Sequence, residues 1–360
     1  MKLQLKKHHG IVLDVGEEGS NDAGAATFAS SFVDPDKPEK MHLFYSASTD
    51  VDWSFSTIRL AFADSDWASF KKSPQSTLLK NQAGSFCSKE ALTPSVVKLG
   101  TNYAMFLAGR RSRTECRRIG LALSSSLEDN WKVVGELHSP SLRRTGSSTI
   151  RKALSITKEI FSRAENWEGY DIDCGTRPAV LDDGTVLLFY SNVTSPYLHR
   201  NRPLVRRMGI LNVSFSEGQS GIVYKLTKRI GPLSHLNGTA NTWNESVFCP
   251  GYISINGKHT LFFAASTYSA GKSPPQYIGY ITSESPYFEP KVTSEPEILI
   301  SGEKDKAQCL PGAEGVLALD TPSPVLNKKD GLIYLYYAIM DRKSKQWKTA
   351  LSTYSYSDGQ

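Results

Sequence analysis

Carboxylates recur at one place along this chain. Glu90, Asp173, Glu245 and Asp320 each lie four or five residues before a proline, namely Pro94, Pro178, Pro250 and Pro324, and Asp22 lies somewhat further upstream of a matching segment at Ala29-Ser30. Two carboxyl groups facing each other across a sugar ring can break a glycosidic bond, one protonating the leaving oxygen and the other serving as base or nucleophile. Acidic side chains at such positions also serve as turn residues and caps. A second chemistry starts from Arg177, which directly precedes Pro178. A guanidinium cannot act as a base, but a fixed cation can polarise a carbonyl, and a shaped pocket can hold two reactants in a near-attack pose. That suits a cyclase that needs no proton shuttle. Asp171 and Asp173, just upstream, are equally ion-pair partners for Arg177.

These residues need a frame, and the sequence supplies one as an internal repeat. An apolar strand ending in a small residue, a variable loop and a second strand recur five times: 42–47 with 58–63, 103–108 with 119–124, 186–191 with 208–213, 260–265 with 277–282, and 333–338 with 349–354. Four copies are preceded by a short strand that opens near a proline: Thr93-Pro94, Arg177-Pro178, Cys249-Pro250 and Ser323-Pro324. Proline fits the first residue of a strand, where its missing N–H breaks no ladder bond. Turn glycines follow at Gly100, Gly184, Gly257 and Gly331. The fold class predicted is all-β: a five-bladed β-propeller, one domain over 1–360, with blade cores near 30–65, 93–125, 177–213, 249–283 and 323–354. The stretch 143–168 reads as an insertion, and Ile11-Val12-Leu13-Asp14-Val15 as the strand that closes the ring against the last blade.

Composition narrows the classes. With 39% hydrophobic and 22% charged residues, the 360-residue chain is too apolar and too mixed in charge for a disordered protein. It has no apolar run long enough for a membrane helix, and Met1 to His9 has no apolar leader core. The net charge of +6 comes with basic clusters at 110–118, 143–144 and 200–207 but with no nucleic-acid-binding motif, so neither nucleic acid nor membrane is expected as a partner. Five cysteines, Cys87, Cys116, Cys174, Cys249 and Cys309, show no metal spacing, so no metal and no cofactor are expected. Sequons at Asn192, Asn212, Asn237 and Asn244 tilt an open localisation towards secretion and leave two disulfides plus one free thiol conceivable.

The blade pattern, over nearly the whole chain, resembles the five-bladed propeller glycosidases of families 32, 43, 68, 117 and 130. That resemblance implies a central funnel with carboxylates at the inner strand starts, carried by Asp-Pro and Glu-Cys-Pro signatures. Here those positions read Thr93-Pro94, Arg177-Pro178, Phe248-Cys249-Pro250 and Ala29-Ser30, without a carboxylate. A frame of this kind stripped of its acids resembles the fungal hetero-Diels–Alderases of the tropolone–sesquiterpene type. The resulting expectation is a pericyclase of secondary metabolism. Arg177, Asp173 and Glu245 are its catalytic candidates, and Thr93, Trp243, Phe248, Tyr252, Ser30, Ser323 and Glu90 its substrate contacts. The partner is a small molecule, apolar and conjugated, or else a glycoside. The alternatives are a glycoside hydrolase using the displaced Asp22, Asp173 and Glu245, and a lectin-like sugar-binding propeller. Carboxylates in the funnel favour the hydrolase; aromatics around Arg177 favour the cyclase.

Overall fold

The computed structural model describes residues 1–75, 77–79, 84–113, 115–129, 131–140, 167–168, 171–193, 205–218, 221–267, 276–302 and 316–357. Of the insertion expected at 143–168, all but Trp167 and Glu168 lies outside the described residues, as do Cys309 and the basic residues Arg143, Arg144, Arg200 and Arg202.

The chain folds into five antiparallel blades. After strand β1 (Lys2–Leu13), the first comprises β2 (Ala25–Val33), β3 (Met41–Ser48), β4 (Ser56–Ala63) and β5 (Lys71–Lys72). The second runs through β6 (Glu90–Leu99), β7 (Asn102–Arg110), β8 (Arg118–Ser124) and β9 (Lys132–His138). The third holds β10 (Ile172–Cys174), β11 (Ala179–Val180), β12 (Val186–Val193), β13 (Arg206–Gly218) and β14 (Gly221–Ile230). The fourth is β15 (Ser246–Ile255), β16 (Lys258–Ser266), β17 (Gln276–Ser283) and β18 (Glu297–Ser301). The fifth takes β19 (Val316–Asn327), β20 (Leu332–Asp341) and β21 (Trp347–Ser357), and β1 pairs with β21 as its outer strand. Ring closure therefore falls where the sequence placed it, although the closing strand begins at Lys2 and ends at Leu13 rather than Val15.

Burial explains the pattern. The second strands are covered on both faces and read as continuous apolar runs, as in β3, where all eight residues are buried. The outer strand β9 alternates between exposed and half-buried residues, with the period of two of a half-wetted strand. The apolar clusters lie between neighbouring blades, one at each of the five junctions, including the one between last and first, where Val325, Tyr336 and Leu351 pack with Leu43, Tyr45 and Trp67.

Four of the inner strands share one device. In β2, β6, β15 and β19 the pairing skips between Thr27 and Ser30, Leu92 and Ser95, Phe248 and Gly251, and Asp320 and Ser323. Each bulge holds one left-handed residue: Phe28 at φ 48°, Thr93 at 47°, Cys249 at 49° and Thr321 at 47°. A β-branched threonine at positive φ is an outlier costing on the order of 1–3 kcal/mol, a strain that clusters at functional sites. Bulges also re-aim side chains. The register corrects one sequence assignment: Pro322, not Pro324, is the fifth-blade counterpart of Pro94 and Pro250.

Beyond the bulges the inner strands are tied across the ring axis. Ser30 Oγ donates to the Thr176 carbonyl, Thr176 Oγ1 to the Pro322 carbonyl at 2.6 Å, and Ser31 N–H to Ser323 Oγ at 2.8 Å. Gly251 sits in this layer, where a Cβ would overlap the Pro322 carbonyl and lie 2.7 Å from Thr176 Oγ1. These neighbours are backbone or hydrogen-bonded and have no room to yield. Gly251→Ala is therefore expected to cost about 1–3 kcal/mol, read as a lowered denaturation midpoint; an unchanged midpoint would mean that the layer can open.

Candidate functional site

In an antiparallel blade the first and third strands start at the same end. The loops before the first strand and between the second and third therefore gather around one mouth of the ring. A cavity of about 340 Å³ occupies that mouth, within the size range of small-molecule sites. All five inner strands reach it, through Phe28, Leu92 and Thr93, Asp173, Phe248 and Cys249, and Asp320 and Thr321. The third-strand starts and their loops add Trp53, Arg117, Arg206, Ser266, Gln276 and Trp347.

A chain of alternating charges crosses the wall. Glu90, 2% exposed, pairs with Arg110 at 2.6 Å and with Arg117. Arg117 reaches on to Asp173 Oδ1 at 3.2 Å, and Arg206 meets Asp173 Oδ2 at the same distance. Asp171 accepts the Arg117 backbone N–H at 2.8 Å. The Arg206 guanidinium lies 4.9 Å over the Phe248 ring, which fixes its plane. Asp320, 9% exposed, stands in a different environment. Its Oδ1 accepts the backbone N–H of Thr321 at 2.7 Å and that residue's hydroxyl at 3.0 Å. Burial pushes its carboxyl above the usual range, and Asp173 adds to this, although the Arg206 charge and hydrogen bonds from Cys249 and Thr321 pull the other way. Opposite the charged wall, Phe28 stacks on Trp53 with centroids 5.3 Å apart and leans on Trp347 at 5.1 Å.

The structure brings some of the sequence candidates together and disperses the others. Asp173, Thr93 and Phe248 line the cavity, and Glu90 lies behind it through Arg117. Ser30 and Ser323 belong to the layer that closes the axis. Arg177 does not line the cavity. Its Nη1 donates to the Ser31 carbonyl at 2.7 Å, and burial lowers its pKa to about 10, which still leaves it charged at neutral pH. The ion pair suggested between Asp173 and Arg177 is replaced by Asp173 with Arg117 and Arg206. Glu245 closes a local turn by accepting the Asn241 N–H at 3.0 Å. Trp243 stacks on Phe263 and covers Gly279, while Tyr252 stacks on Phe189 and meets His259 Nδ1 at 2.6 Å; both are packing residues. Asp22 is 1% exposed within an ion cluster of Arg59 and Lys72, away from the cavity.

Sequence reasoning noticed Asp320 among the recurring carboxylates without carrying it into the site, and it missed Arg117, Arg206, Phe28, Trp53 and Trp347. The available signal was position, because each stands at the bulge of a first strand, at the start of a third strand or in the loop before it. The sequons change their meaning as well. Asn192, Asn212 and Asn244 are buried, and Asn237 donates its amide to the Arg206 and Glu245 carbonyls, so a glycan on these amides is incompatible with the folded state. Cys87, Cys116, Cys174 and Cys249 are buried free thiols, without the disulfides the sequence allowed among them. Among the described residues no group of three or more acidic, His or Cys side chains could hold a metal, and no helix is long and apolar enough to cross a membrane.

No family model matches the chain, and no curated protein matches it. Solved structures do. A protein described as a glycoside hydrolase aligns with a TM-score of 0.63 at 12% identity, over 99% of this chain and 94% of its own. A thermostable family-43 glycoside hydrolase aligns at 0.59 and 13% identity, over 93% and 91%. The α-L-arabinanase of Cellvibrio cellulosa, solved with arabinohexaose, aligns at 0.52 and 9% identity, over 91% of each. The likeness is one of fold: the chain has the five-bladed β-propeller architecture of these glycoside hydrolases.

Proposed function

We propose that the cavity cleaves a glycosidic bond, with Asp320 as the acid that protonates the leaving oxygen and Asp173 as the carboxylate that either attacks the anomeric carbon or takes a proton from the attacking water. One observation carries this reading. Two carboxyl groups from non-adjacent positions of the sequence meet in a single cavity, in opposite electrostatic settings. Asp320 is desolvated, which raises its pKa, whereas Asp173 is bridged by the Arg117 and Arg206 guanidiniums. Carboxyl pairs with divergent surroundings mark acid and base roles. The Phe28, Trp53 and Trp347 rings offer a flat apolar face to a sugar.

The cyclase reading, a hetero-Diels–Alder cycloaddition around Arg177, asks for that arginine in the funnel without carboxylates. Its cation instead holds a backbone carbonyl outside the cavity. A lectin-like reading has one feature in its favour: Asp173 has both oxygens engaged in salt bridges, which suits a rigid binding wall. Turnover separates the two. A panel of aryl glycosides and oligosaccharides is expected to yield a reducing sugar, and proton NMR of the first product anomer assigns retention or inversion. Saturable sugar binding with no product would replace the hydrolase with the lectin, and conversion of a polyene to a cyclic adduct would restore the cyclase.

A further inference from the structure

The proposed reading leaves the kind of sugar open, and Arg206 speaks to it. Its Nη1 is held by Asp173 at 3.2 Å and its plane lies on Phe248. Among the described residues its Nε and Nη2 edge meets no protein acceptor, and the side chain is 29% exposed where it lines the cavity. A guanidinium clamped on one edge and against one face presents the other edge as a fixed planar pair of donors. That geometry matches a carboxylate bidentately.

Thr93 adds an independent observation. It lines the cavity, is 3% exposed, and its Oγ1 has no hydrogen-bond partner among the described residues. It is also one of the strained left-handed residues, at φ 47°. A buried hydroxyl without a partner costs stability, and a polar group on the ligand would remove that cost. The balance of the lining charges points the same way. Arg117 and Arg206 both contact Asp173, so two cations share that one carboxylate at the cavity wall. Glu90 and Arg110 offset each other behind the wall, and Asp171 is engaged with the Arg117 backbone.

Resting on the glycoside reading, we infer that the cavity selects a sugar bearing a carboxylate, a uronic acid residue, with the free edge of Arg206 as the specificity-determining contact and Thr93 Oγ1 as an accessory donor. The uronate enters with its apolar face on the Phe28 and Trp53 rings and its carboxylate on Arg206.

The test is calorimetric binding to Asp320→Asn, so that turnover does not intervene, with glucuronate and galacturonate, their neutral parents, and a sulfated galactose. The uronate is expected to bind at least about tenfold tighter than its neutral parent, the scale of one charge-assisted hydrogen bond. Arg206→Gln is expected to erase that margin, read as the ratio of uronate to neutral-sugar affinity within the same variant, and Arg206→Lys to restore it in part. A sulfated sugar binding as tightly as the uronate would overturn the carboxylate assignment. Equal binding of uronate and neutral sugar would overturn the selectivity and leave the hydrolase standing. Absence of binding by every sugar would overturn both. Unchanged melting of the Gln variant keeps a folding defect from imitating the result.

Discussion

Asp320→Asn is expected to lower glycoside turnover by about 10²- to 10⁴-fold, the usual contribution of a positioned general acid, while sugar binding and melting temperature hold. Asparagine keeps the oxygen that accepts the Thr321 N–H and hydroxyl at 2.7 and 3.0 Å, so the bulge retains its lock. What disappears is the transferable proton. The pH profile carries the stronger signature. Because burial raises the Asp320 carboxyl above its ordinary value, the acid form persists to higher pH than for a solvated aspartate, and the rate falls as pH rises through that raised pKa. The variant's residual activity is expected to lack that limb. A substrate with a good leaving group, which needs little protonation, is expected to lose far less. Equal losses on good and poor leaving groups would remove Asp320 from the acid's role and leave it a wall residue.

The second large effect concerns stability. Asp22 is a candidate acid by sequence, yet it lies 2.7 Å from Arg59 and 2.8 Å from Lys72 and accepts the Tyr45 hydroxyl at 3.0 Å. Asp22→Ala leaves two cations and a buried phenol without their acceptor, a loss on the order of 3 kcal/mol. Burial alone raises the Asp22 pKa, but the Lys72 hydrogen bond and charge, the Arg59 charge and the Tyr45 hydroxyl outweigh it, so the net shift is downward. A folded-state pKa below the unfolded one stabilises the protein above the unfolded value, and the contribution fades as pH falls through the folded value. Urea unfolding should therefore separate wild type from Asp22→Ala widely at pH 7 and much less near pH 2. The catalytic constant of the folded fraction is expected to stay the same. A variant that melts normally but turns over no glycoside would return Asp22 to the active site.

The blades were legible because the second strands are buried on both faces, which forces continuous apolar runs such as His42 to Ala47 and Thr260 to Ala265. The site was less so, for a reason of register. A bulge shifts pairing without changing composition, and two prolines flank Ser323, so the sequence alone favoured Pro324 over Pro322 as the blade marker. With the frame two residues late, Asp320 looked like an upstream turn residue rather than the bulge's own neighbour. Arg117 and Arg206 each stand beside a second arginine and read as solvated surface charge. That Arg206 starts a third strand and Arg117 directly precedes one, so that both face the mouth, follows from blade geometry and not from residue type. Arg177 misled in the opposite way. It is adjacent to a marker proline, but the interrupted inner strand of its blade turns it to the Ser31 carbonyl.

The pairing of β1 with β21 also shapes biosynthesis. The first strand of the ring to be made must wait for the last, so the longest-range pairing of the propeller forms only once all five blades have been synthesised. Non-local pairing of this kind slows folding and exposes unpaired edges meanwhile. β1 carries Lys2, Lys6 and Lys7, and charged edge strands resist pairing with other chains. The basic residues of β1 thus disfavour pairing of this strand with other chains while the ring is still open.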